Sequence, residues 1–371
     1  MISGYATLQG TERFKNKFSH FAEGHFRLCQ NLWFSSIGIG SYLGESDDVT
    51  DALYEESMKE SLRSGINVID SSINYRSQRS ERSFGRALQS LIQEGSVKRE
   101  EVILCTKGGF IPFDGDFPKD PMHFFHKNYI EPGILSPEDI AQSCHSISPR
   151  FLEDQLSKSL KNLGVETIDI YYIHNPETQL MDFSRTEFLN RLRAAFEWCE
   201  QKVKEGKIRM YGLATWNGFR LEPESPDYLS IEEINVVARE VGGASHHFKA
   251  VQLPLNLGMP EGWVLANQSF GANLVPFLNI AGRNQMIVAG SASLLQSRLA
   301  GPLPEFLLKH FPGLEKNSQR ALQFARSTPG MTTSLVGMKK KAHVAENIET
   351  AKVKPLTEEQ LLLIFQNQES S

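Results

Sequence analysis

The sequence predicts an α/β protein built as a (β/α)8 barrel, and three observations support that fold class. Eight short apolar runs recur along the 371 residues, helix-like spacing of apolar residues separates them, and glycines follow several of the helical segments. Nearly continuous apolar runs are typical of parallel strands buried on both faces. The predicted strands are residues 36–41, 67–71, 102–107, 168–174, 210–215, 251–256, 286–291 and 334–337. Eight alternations of strand and helix favour a closed TIM barrel.

An open doubly wound sheet is the alternative architecture. Such a sheet usually carries the motif GxGxxG directly after its first strand, where a nucleotide phosphate binds. The glycines after the first apolar run are Gly38, Gly40 and Gly44, and their spacing does not match that motif. We therefore expect the barrel.

Helical segments between the strands carry apolar residues three or four positions apart. The third segment begins at Ser148-Pro149, an N-cap serine followed by a proline that suits the first helical turn. Thr357 and Gln360 form a capping-box pattern that opens a last helix. The predicted helices cover residues 52–64, 81–93, 149–163 and 187–205, followed by this C-terminal helix.

The predicted domain organisation is simple. Residues 1–34 are expected to form an N-terminal extension, with a hairpin that closes the barrel floor, and residues 35–371 to form a single barrel domain that includes the C-terminal helix. Two connections, residues 110–147 and 216–249, are too long for simple turns. They follow the third and fifth strands at their C-terminal ends, so both are expected to overhang the same face of the barrel.

Composition narrows the class of protein. A formal net charge of −5 gives no reason to expect nucleic acid or an anionic membrane as partner. No apolar run approaches the roughly 20 residues of a membrane span, and the N-terminus lacks the pattern of a signal peptide. Four scattered cysteines without a CxxC motif fit a reducing compartment and indicate no cysteine-rich metal site. We expect a cytoplasmic protein that acts on a small molecule.

Four polar residues stand at, or just after, the ends of predicted strands. They are Asp70, Tyr75, Lys107 and His174. In a parallel barrel the C-terminal ends of the strands meet at one mouth, so these side chains are expected to converge. An acid, a phenol, an amine and an imidazole together form a set that can move protons.

Such a set suits carbonyl reduction. A phenol normally titrates near pH 10, and a nearby ammonium lowers its pKa. As hydride reaches a carbonyl carbon, the oxygen gains negative charge, which needs positioned donors and finally a proton. No side chain supplies hydride, so the reaction requires a nicotinamide cofactor.

Several segments around these residues match a known pattern. They are Gly38-x-Gly40-Ser41, residues 70–75 with Ser80-Glu81 and 85–88, Thr106-Lys107, residues 169–174, and residues 336–347. Together they resemble the aldo-keto reductase family over residues 27–352. The resemblance implies the barrel fold, NADPH bound across the mouth, and reduction of an aldehyde or ketone or the reverse reaction. It implies Tyr75 as general acid/base, Asp70 and Lys107 as its tuning groups, and His174 as the group that orients the carbonyl.

The resemblance also implies a set of cofactor-binding residues. They are Gly40, Ser41, Asp70, Thr215, Gln252, Ser291, Leu294, Arg298, Gly337, Lys339, His343, Glu346 and Asn347. This chain departs from the family pattern in four places, one of which is residues 289–292, where the usual Ser-Pro is absent. Thr215 replaces a usual asparagine, Leu255 replaces the aromatic residue that usually stacks on the nicotinamide, and Arg76 follows Tyr75 where glycine is common.

Two other functions remain open. One is a cofactor-bound regulatory or scaffold subunit with little turnover, a role that the β subunits of potassium channels, which resemble this family, show to be possible. The other is a metal-dependent barrel hydrolase, for which the sequence lacks an HxH motif on the first strand. For the leading function, we expect segment 110–147, with its aromatic residues Phe124, Phe125 and Tyr129, to form one wall of the substrate pocket. The alternative is that these rings pack down on the outer helices.

Overall fold

The computed structural model describes residues 1–366, and eight parallel strands within them close into a barrel. In chain order the strands of this part of the chain are β1 (Phe26–Cys29), β2 (Leu32–Ser35), β3 (Ile37–Gly40), β4 (Val68–Asp70), β5 (Ile103–Gly108), β6 (Ile168–His174), β7 (Ile208–Ala214), β8 (Phe248–Pro254), β9 (Ala266–Phe270), β10 (Asn273–Pro276), β11 (Ile287–Ser291) and β12 (Thr333–Gly337). Strands β3 to β8 pair in sequence, β8 continues to β11 and β12, and β12 returns to β3. The predicted barrel is confirmed, and each of the eight predicted strands overlaps an observed barrel strand.

The helices lie between the strands on the outside of the barrel. Those in the described chain are α1 (Leu8–Lys17), α2 (Asp48–Arg63), α3 (Arg79–Gln93), α4 (Pro121–Phe125), α5 (Pro149–Leu163), α6 (Arg185–Lys204), α7 (Ile231–Gly242), α8 (Glu261–Val264), α9 (Phe277–Arg283), α10 (Glu305–Leu308), α11 (Asn317–Ser327), α12 (Lys341–Ile348) and α13 (Glu358–Gln366). Helices α2, α3, α5 and α6 match the predicted segments. The capping box before α13 is also present, because the Thr357 hydroxyl accepts from Gln360 N while the Gln360 amide oxygen accepts from Thr357 N.

The floor of the barrel is covered by the antiparallel hairpin of β1 and β2. Leu32 and Phe34 are buried among barrel-interior residues such as Val68 and Ile103. Asn67, directly before β4, accepts from Ser35 N at 2.8 Å and donates to Trp33 O at 2.8 Å. These contacts join the hairpin to the N-terminal ends of the strands. Whether residues 1–34 are a unit separate from the barrel stays a prediction.

Helix α1 and the β9–β10 hairpin are among the elements that the sequence analysis missed. Helix α1 presents only Gly10, Thr11 and Phe14 as buried residues, so its apolar stripe is too short to recognise. The β9–β10 hairpin stands where a further helix would follow β8, and Phe270 and Leu274 remain exposed on it. Short strands with one solvent-exposed face give only a weak alternation of apolar and polar residues, which is easily mistaken for a loop.

Three aromatic residues of segment 110–147, Phe124, Phe125 and Tyr129, pack towards helix α5, whereas Phe110 lines a cavity at the mouth of the barrel. Tyr129 is buried against Phe151 of α5, with ring centroids 5.8 Å apart, and Phe124 and Phe125 pack on this pair. The Tyr129 hydroxyl donates to Pro112 O at 2.9 Å, which holds the segment together. The prediction that Phe124, Phe125 and Tyr129 form a pocket wall is therefore wrong, because this cluster completes a core of its own.

Changing both Phe124 and Phe125 to alanine is accordingly expected to lower thermal stability without altering substrate preference. Both rings are half-buried, so their loss removes about 2–3 kcal/mol of apolar burial. Thermal unfolding and kcat/KM on several carbonyl substrates would measure the two effects separately. Phe117→Ala is the matched control, since that ring lies on the same segment and is 72% exposed. An unchanged melting temperature with a changed substrate preference would contradict this expectation.

Candidate active site

A cavity of about 420 Å³ opens at the C-terminal ends of the barrel strands. Asp70, Tyr75 and His174 line it, and Lys107 lies buried next to Asp70. The barrel explains the convergence, because β4, β5 and β6 are neighbours that end at the same mouth. The structure thus brings together the four residues that the sequence singles out.

Asp70 and Lys107 form a buried ion pair. Lys107 Nζ lies 2.5 Å from Asp70 Oδ1 and donates to Ser71 O at 2.7 Å. The second oxygen of Asp70 accepts from the amide of Gln252 at 3.0 Å. Burial lowers the pKa of Lys107, but the negative charge of Asp70 and its hydrogen bond to Lys107 act against burial, and this pKa lies above its ordinary value. The ammonium therefore stays charged at neutral pH.

The phenol of Tyr75 stands between the lysine and the imidazole. Lys107 Nζ lies 5.0 Å from the centroid of the Tyr75 ring, and the Tyr75 and His174 rings meet edge to face at 5.8 Å. Burial raises the pKa of Tyr75 above its ordinary value, although Lys107 acts against it. The lysine therefore acts in the expected direction but is outweighed. The phenol is protonated at neutral pH and can donate its proton.

His174 is a neutral imidazole. Burial, helped by the charge of Lys107, holds the pKa of His174 well below its ordinary value. Its Nδ1 lies 3.3 Å from the hydroxyl of Ser72, which leaves Nε2 for a ligand. An uncharged imidazole can orient a carbonyl without taking the proton that the reaction needs.

A second histidine, which the sequence analysis missed, holds the backbone of His174. His145 is fully buried, and its Nδ1 lies 2.8 Å from the amide nitrogen of Gln179. Since that amide donates, the proton of His145 is on Nε2, which donates to His174 O at 2.6 Å. Burial lowers the pKa of His145 to about 4, so this arrangement persists at neutral pH. Phe110 packs edge to face on both imidazoles.

Arg76 fixes the loop that follows Tyr75 to the loop that follows β3. Its buried guanidinium donates to Glu45 O at 2.8 Å and to Asp47 O at 3.3 Å, and it pairs with Asp51 of α2. Arg76 itself is left-handed, with φ of 51°, a conformation that disfavours side chains other than glycine. Its contacts compensate for that strain. Tyr42, on the loop after β3, then packs edge to face on the Tyr75 ring at 5.0 Å.

Glu177 holds the start of segment 216–249. One of its buried carboxylate oxygens accepts from the backbone N–H groups of Trp216 at 2.6 Å and Asn217 at 3.0 Å. Trp216 lines the cavity, so this contact places one of its walls. The long segment after β7 thus does overhang the mouth, as expected.

The residues expected to bind a cofactor divide into two groups. Those that line the cavity are Gly40, Ser41, Asp70, Thr215, Gln252, Ser291, Leu294 and Gly337. Those outside its lining are Arg298, Lys339, His343, Glu346 and Asn347. The second group follows β11 and β12, so it belongs to the same face of the barrel.

The five residues outside the cavity lining are called the outer group below, and some of them already make contacts within the protein. Glu346 accepts a hydrogen bond from the Ser318 hydroxyl. Asn347 is buried, and its Oδ1 has no hydrogen-bond partner within residues 1–366. Arg298 and His343 are exposed. Leu255, which stands where the family pattern has an aromatic residue, is fully buried in the hydrophobic core.

Among residues 1–366, no three His, Cys, Asp or Glu side chains lie close enough to hold a metal ion. Within the same residues, none of the helices has both the length and the apolar character needed to cross a membrane.

Comparison with known proteins places this site in context. The model of the aldo/keto reductase family matches residues 36–222, half of the chain, and this segment contains Asp70, Tyr75, Lys107 and His174. Prostaglandin F synthase 2 of Bos taurus is 26% identical over 162 residues, so the match spans 44% of this chain but only 36% of that protein's length. The uncharacterized oxidoreductase YqkF of Bacillus subtilis is 22% identical over 89% of this chain and 92% of its own length.

A solved structure extends the likeness to the fold. The aldo/keto reductase of Klebsiella pneumoniae in complex with NADP and acetate matches with a TM-score of 0.60 at 17% identity. The superposition covers 93% of this chain and 95% of that chain. At this level of identity the likeness shows a shared fold.

Proposed function

Because this chain belongs to the aldo/keto reductase family, we propose that it reduces an aldehyde or ketone to an alcohol, or catalyses the reverse, with a nicotinamide cofactor. The observation that supports this activity is the position of Tyr75. Its protonated phenol faces the cavity between the neutral imidazole of His174 and the ammonium of Lys107. One carbonyl group bound there would meet three things: a group that orients it, a proton donor and a nearby positive charge.

Each residue of the set has a defined task in this reaction. When bound, a reduced nicotinamide would supply hydride to the carbonyl carbon. His174 orients the carbonyl by a hydrogen bond to its oxygen, and Tyr75 donates its proton to that oxygen as negative charge develops. Lys107 stabilises the phenolate that Tyr75 becomes, and Asp70 keeps Lys107 charged and in place. In alcohol oxidation the same groups act in reverse.

The cavity fits the nicotinamide end of such a cofactor. Gln252 is fixed at its amide nitrogen by Asp70, while its amide oxygen makes no hydrogen bond inside residues 1–366 and can accept from a carboxamide. The hydroxyl of Thr215, which also lines the cavity, lies 3.4 Å from the backbone carbonyl oxygen of Gln252. Ser291 and Gly337 continue the cavity towards β11 and β12, so the outer group of residues would hold the phosphates and adenosine.

NADPH is expected to bind more tightly than NADH, by about tenfold at low salt. Lys339, Lys340 and Arg298 stand near the expected phosphate on the ribose, where a charge-assisted hydrogen bond contributes about 1.5–3 kcal/mol. Changing Lys339 and Lys340 together to methionine should reduce this preference, and fluorescence titration with both cofactors would measure it. Lys341→Met is the control, because Lys341 already pairs with Glu56 at 2.7 Å. Equal dissociation constants in the unmodified protein would contradict the prediction.

Turnover is the direct test of the proposed function. The purified protein would be mixed with NADPH and a panel of aldehydes and ketones, and cofactor oxidation followed by its near-ultraviolet absorbance. Reduction of at least one class of carbonyl supports the proposal. Tight NADPH binding with no turnover of any carbonyl or alcohol would instead favour the regulatory or scaffold subunit.

We further propose that the protein works in the cytoplasm on a small molecule. Support comes from its four cysteines, which are all unpaired thiols, as is usual in a reducing compartment. The formal charge of −5 gives no support to nucleic acid as a partner. Fractionation of cells followed by detection of the protein would test the location.

A further inference from the structure

We propose that Arg76 is a positioning residue for the proton donor. By fixing loop 41–47, which joins β3 to α2, it keeps the ring of Tyr42 packed on Tyr75, and this packing holds the phenol in place and limits its contact with water. The inference rests on the proposed function, in which Tyr75 donates the proton. Arg76 is not among the residues that line the cavity, so it acts without touching the substrate.

An arginine at this position is costly for the stability of the fold. Its backbone is left-handed, with φ of 51°, a conformation that glycine adopts without strain. Its side chain is 1% exposed, and its Nη1 has no hydrogen-bond partner within residues 1–366. Burial of a cation and of an unpaired donor both cost free energy. A residue that carries such costs is expected to serve the site rather than the fold.

The guanidinium of Arg76 holds the end of loop 41–47 that leads into α2. Its Nε donates to Glu45 O at 2.8 Å, and its Nη2 donates to Asp47 O at 3.3 Å and pairs with the carboxylate of Asp51. The planar fork of an arginine can serve two carbonyls and a carboxylate together, whereas a lysine ammonium is a single point charge. Loss of the guanidinium therefore frees this end of the loop.

Tyr54 of α2 joins the guanidinium to the middle of the same loop. The Arg76 Cζ lies over the Tyr54 ring, 5.3 Å from its centroid, and the Tyr54 hydroxyl donates to Leu43 O at 2.5 Å. Leu43 follows Tyr42 directly, so these contacts fix the backbone on the C-terminal side of Tyr42. The Tyr42 side chain is 56% exposed, and it depends on that backbone for its place against Tyr75.

The loop after Tyr75 is also held from its other side, independently of Arg76. Ser77 O accepts from Gly115 N at 2.9 Å, and Gln78 Nε2 donates to Phe113 O at 3.0 Å. Replacement of Arg76 by glycine therefore leaves this loop attached to segment 110–147 and removes its link to loop 41–47. Because glycine also suits the left-handed backbone, we expect Arg76→Gly to fold.

The first test is a double-mutant cycle of Arg76→Gly and Tyr42→Ala. We expect Arg76→Gly to lower kcat/KM for carbonyl reduction about tenfold, since a misplaced reacting group can cost up to about 10²-fold. In the Tyr42→Ala background the same change should cost less than about twofold, because the effects of residues that act through one another are not additive. An equal cost in both backgrounds would overturn the proposal.

The second test is the alkaline limb of the pH profile of kcat/KM, where reduction is lost as the Tyr75 phenol loses its proton. Within residues 1–366, the titratable groups that face this phenol are Asp70, Lys107, His174 and Tyr42. Burial raises the pKa of Tyr75, Lys107 opposes this effect, and Tyr42 adds to it. In Arg76→Gly the packing of Tyr42 is lost, so the limb should move to lower pH. A variant that had merely lost stability would keep the limb in place, and that result would contradict the proposed role.

Ser77→Gly is the matched control. Ser77 lies next to Arg76 and is also left-handed, with φ of 55°, and its side chain makes no hydrogen bond in the described part of the chain. Glycine at this position gives the loop similar backbone freedom but leaves the guanidinium in place. Both kcat/KM and the alkaline limb should equal those of the unmodified protein, and a loss as large as that of Arg76→Gly would show that loop freedom, not the guanidinium, is responsible.

Arg76→Lys keeps the proposal testable if Arg76→Gly does not fold. It retains a charge for Asp51 but loses the fork that reaches Glu45 and Asp47, so kcat/KM should fall and the alkaline limb should move in the same direction. Unchanged values in the folded variants would overturn this inference alone. Binding of NADPH by the unmodified protein without turnover of any carbonyl or alcohol would overturn the proposed function, and this inference with it.

Discussion

Changing Tyr75 to phenylalanine is expected to lower kcat/KM for carbonyl reduction by about 10²–10⁴, the usual contribution of general acid catalysis. The ring, its packing on Tyr42 and its contact with His174 would remain, while the proton that the product oxygen requires would be lost. NADPH binding should change little, because the phenol acts on the substrate oxygen and Tyr75 is not among the residues proposed to hold the cofactor. Steady-state kinetics and a fluorescence titration on the same sample would separate the two quantities.

Tyr5→Phe is the control, because it removes a tyrosine hydroxyl that lies outside the cavity. Tyr5 is partly exposed near the barrel floor, where Ala6 N donates to Asp169, and it lies far from the cavity. Its kinetics should match those of the unmodified protein. If Tyr75→Phe keeps more than about a tenth of the original kcat/KM, the proton comes from another group and the role assigned to Tyr75 is wrong.

The fold and the position of the reacting groups could be predicted from the sequence, because both depend on the local pattern of apolar and polar residues. A parallel strand buried on two faces has to be apolar throughout, so a polar residue at its end is conspicuous. Asp70, Lys107 and His174 each close such a run. Closure of the barrel then brings the three side chains together, so their convergence can be predicted without knowing any distant contact.

The residues that the sequence did not reveal act through long-range contacts. His145 lies in a 38-residue connection and acquires its role only because the chain returns it to the carbonyl of His174. Phe124 and Phe125 lie in the same connection, and their apolar character fits a pocket wall as well as a small core. Nothing in the local sequence distinguishes these outcomes, since both bury aromatic rings.

Changing Lys107 to methionine is expected to remove most of the activity and to destabilise the fold by about 3–5 kcal/mol, the usual effect of leaving one charge of a buried ion pair without its partner. Asp70 is 4% exposed and would keep only the amide of Gln252 as a hydrogen-bond donor. The pKa of Tyr75 would rise further, because Lys107 is the group that opposes the effect of burial. Urea unfolding and kcat/KM would measure the two losses.

The pH dependence of this variant follows from the unpaired Asp70. Burial raises the pKa of Asp70 in the folded protein, and removal of Lys107 raises it more. An acid with a raised folded pKa binds more protons in the folded state than in the unfolded state, so stability falls as pH rises through that range. Because the pKa of Asp70 is already raised in the unmodified protein, the stability gap between the two proteins should widen only as pH rises above the range in which Asp70 of the unmodified protein ionises. A gap that is constant with pH would show that Asp70 is not the source of the destabilisation.

Combining Lys107→Met with Asp70→Asn separates the structural role of the ion pair from its chemical role. The double variant holds no unpaired buried charge, so we expect it to recover most of the lost stability, since a neutral replacement of a buried pair is often close to neutral in free energy. Its activity should stay as low as that of Lys107→Met, because the cation that stabilises the phenolate of Tyr75 is still missing. Recovery of activity together with stability would mean that Lys107 serves only to hold the fold. Loss of both, with a stability equal to that of the single variant, would mean that the size of the lysine side chain, rather than its charge, supports the barrel at this position.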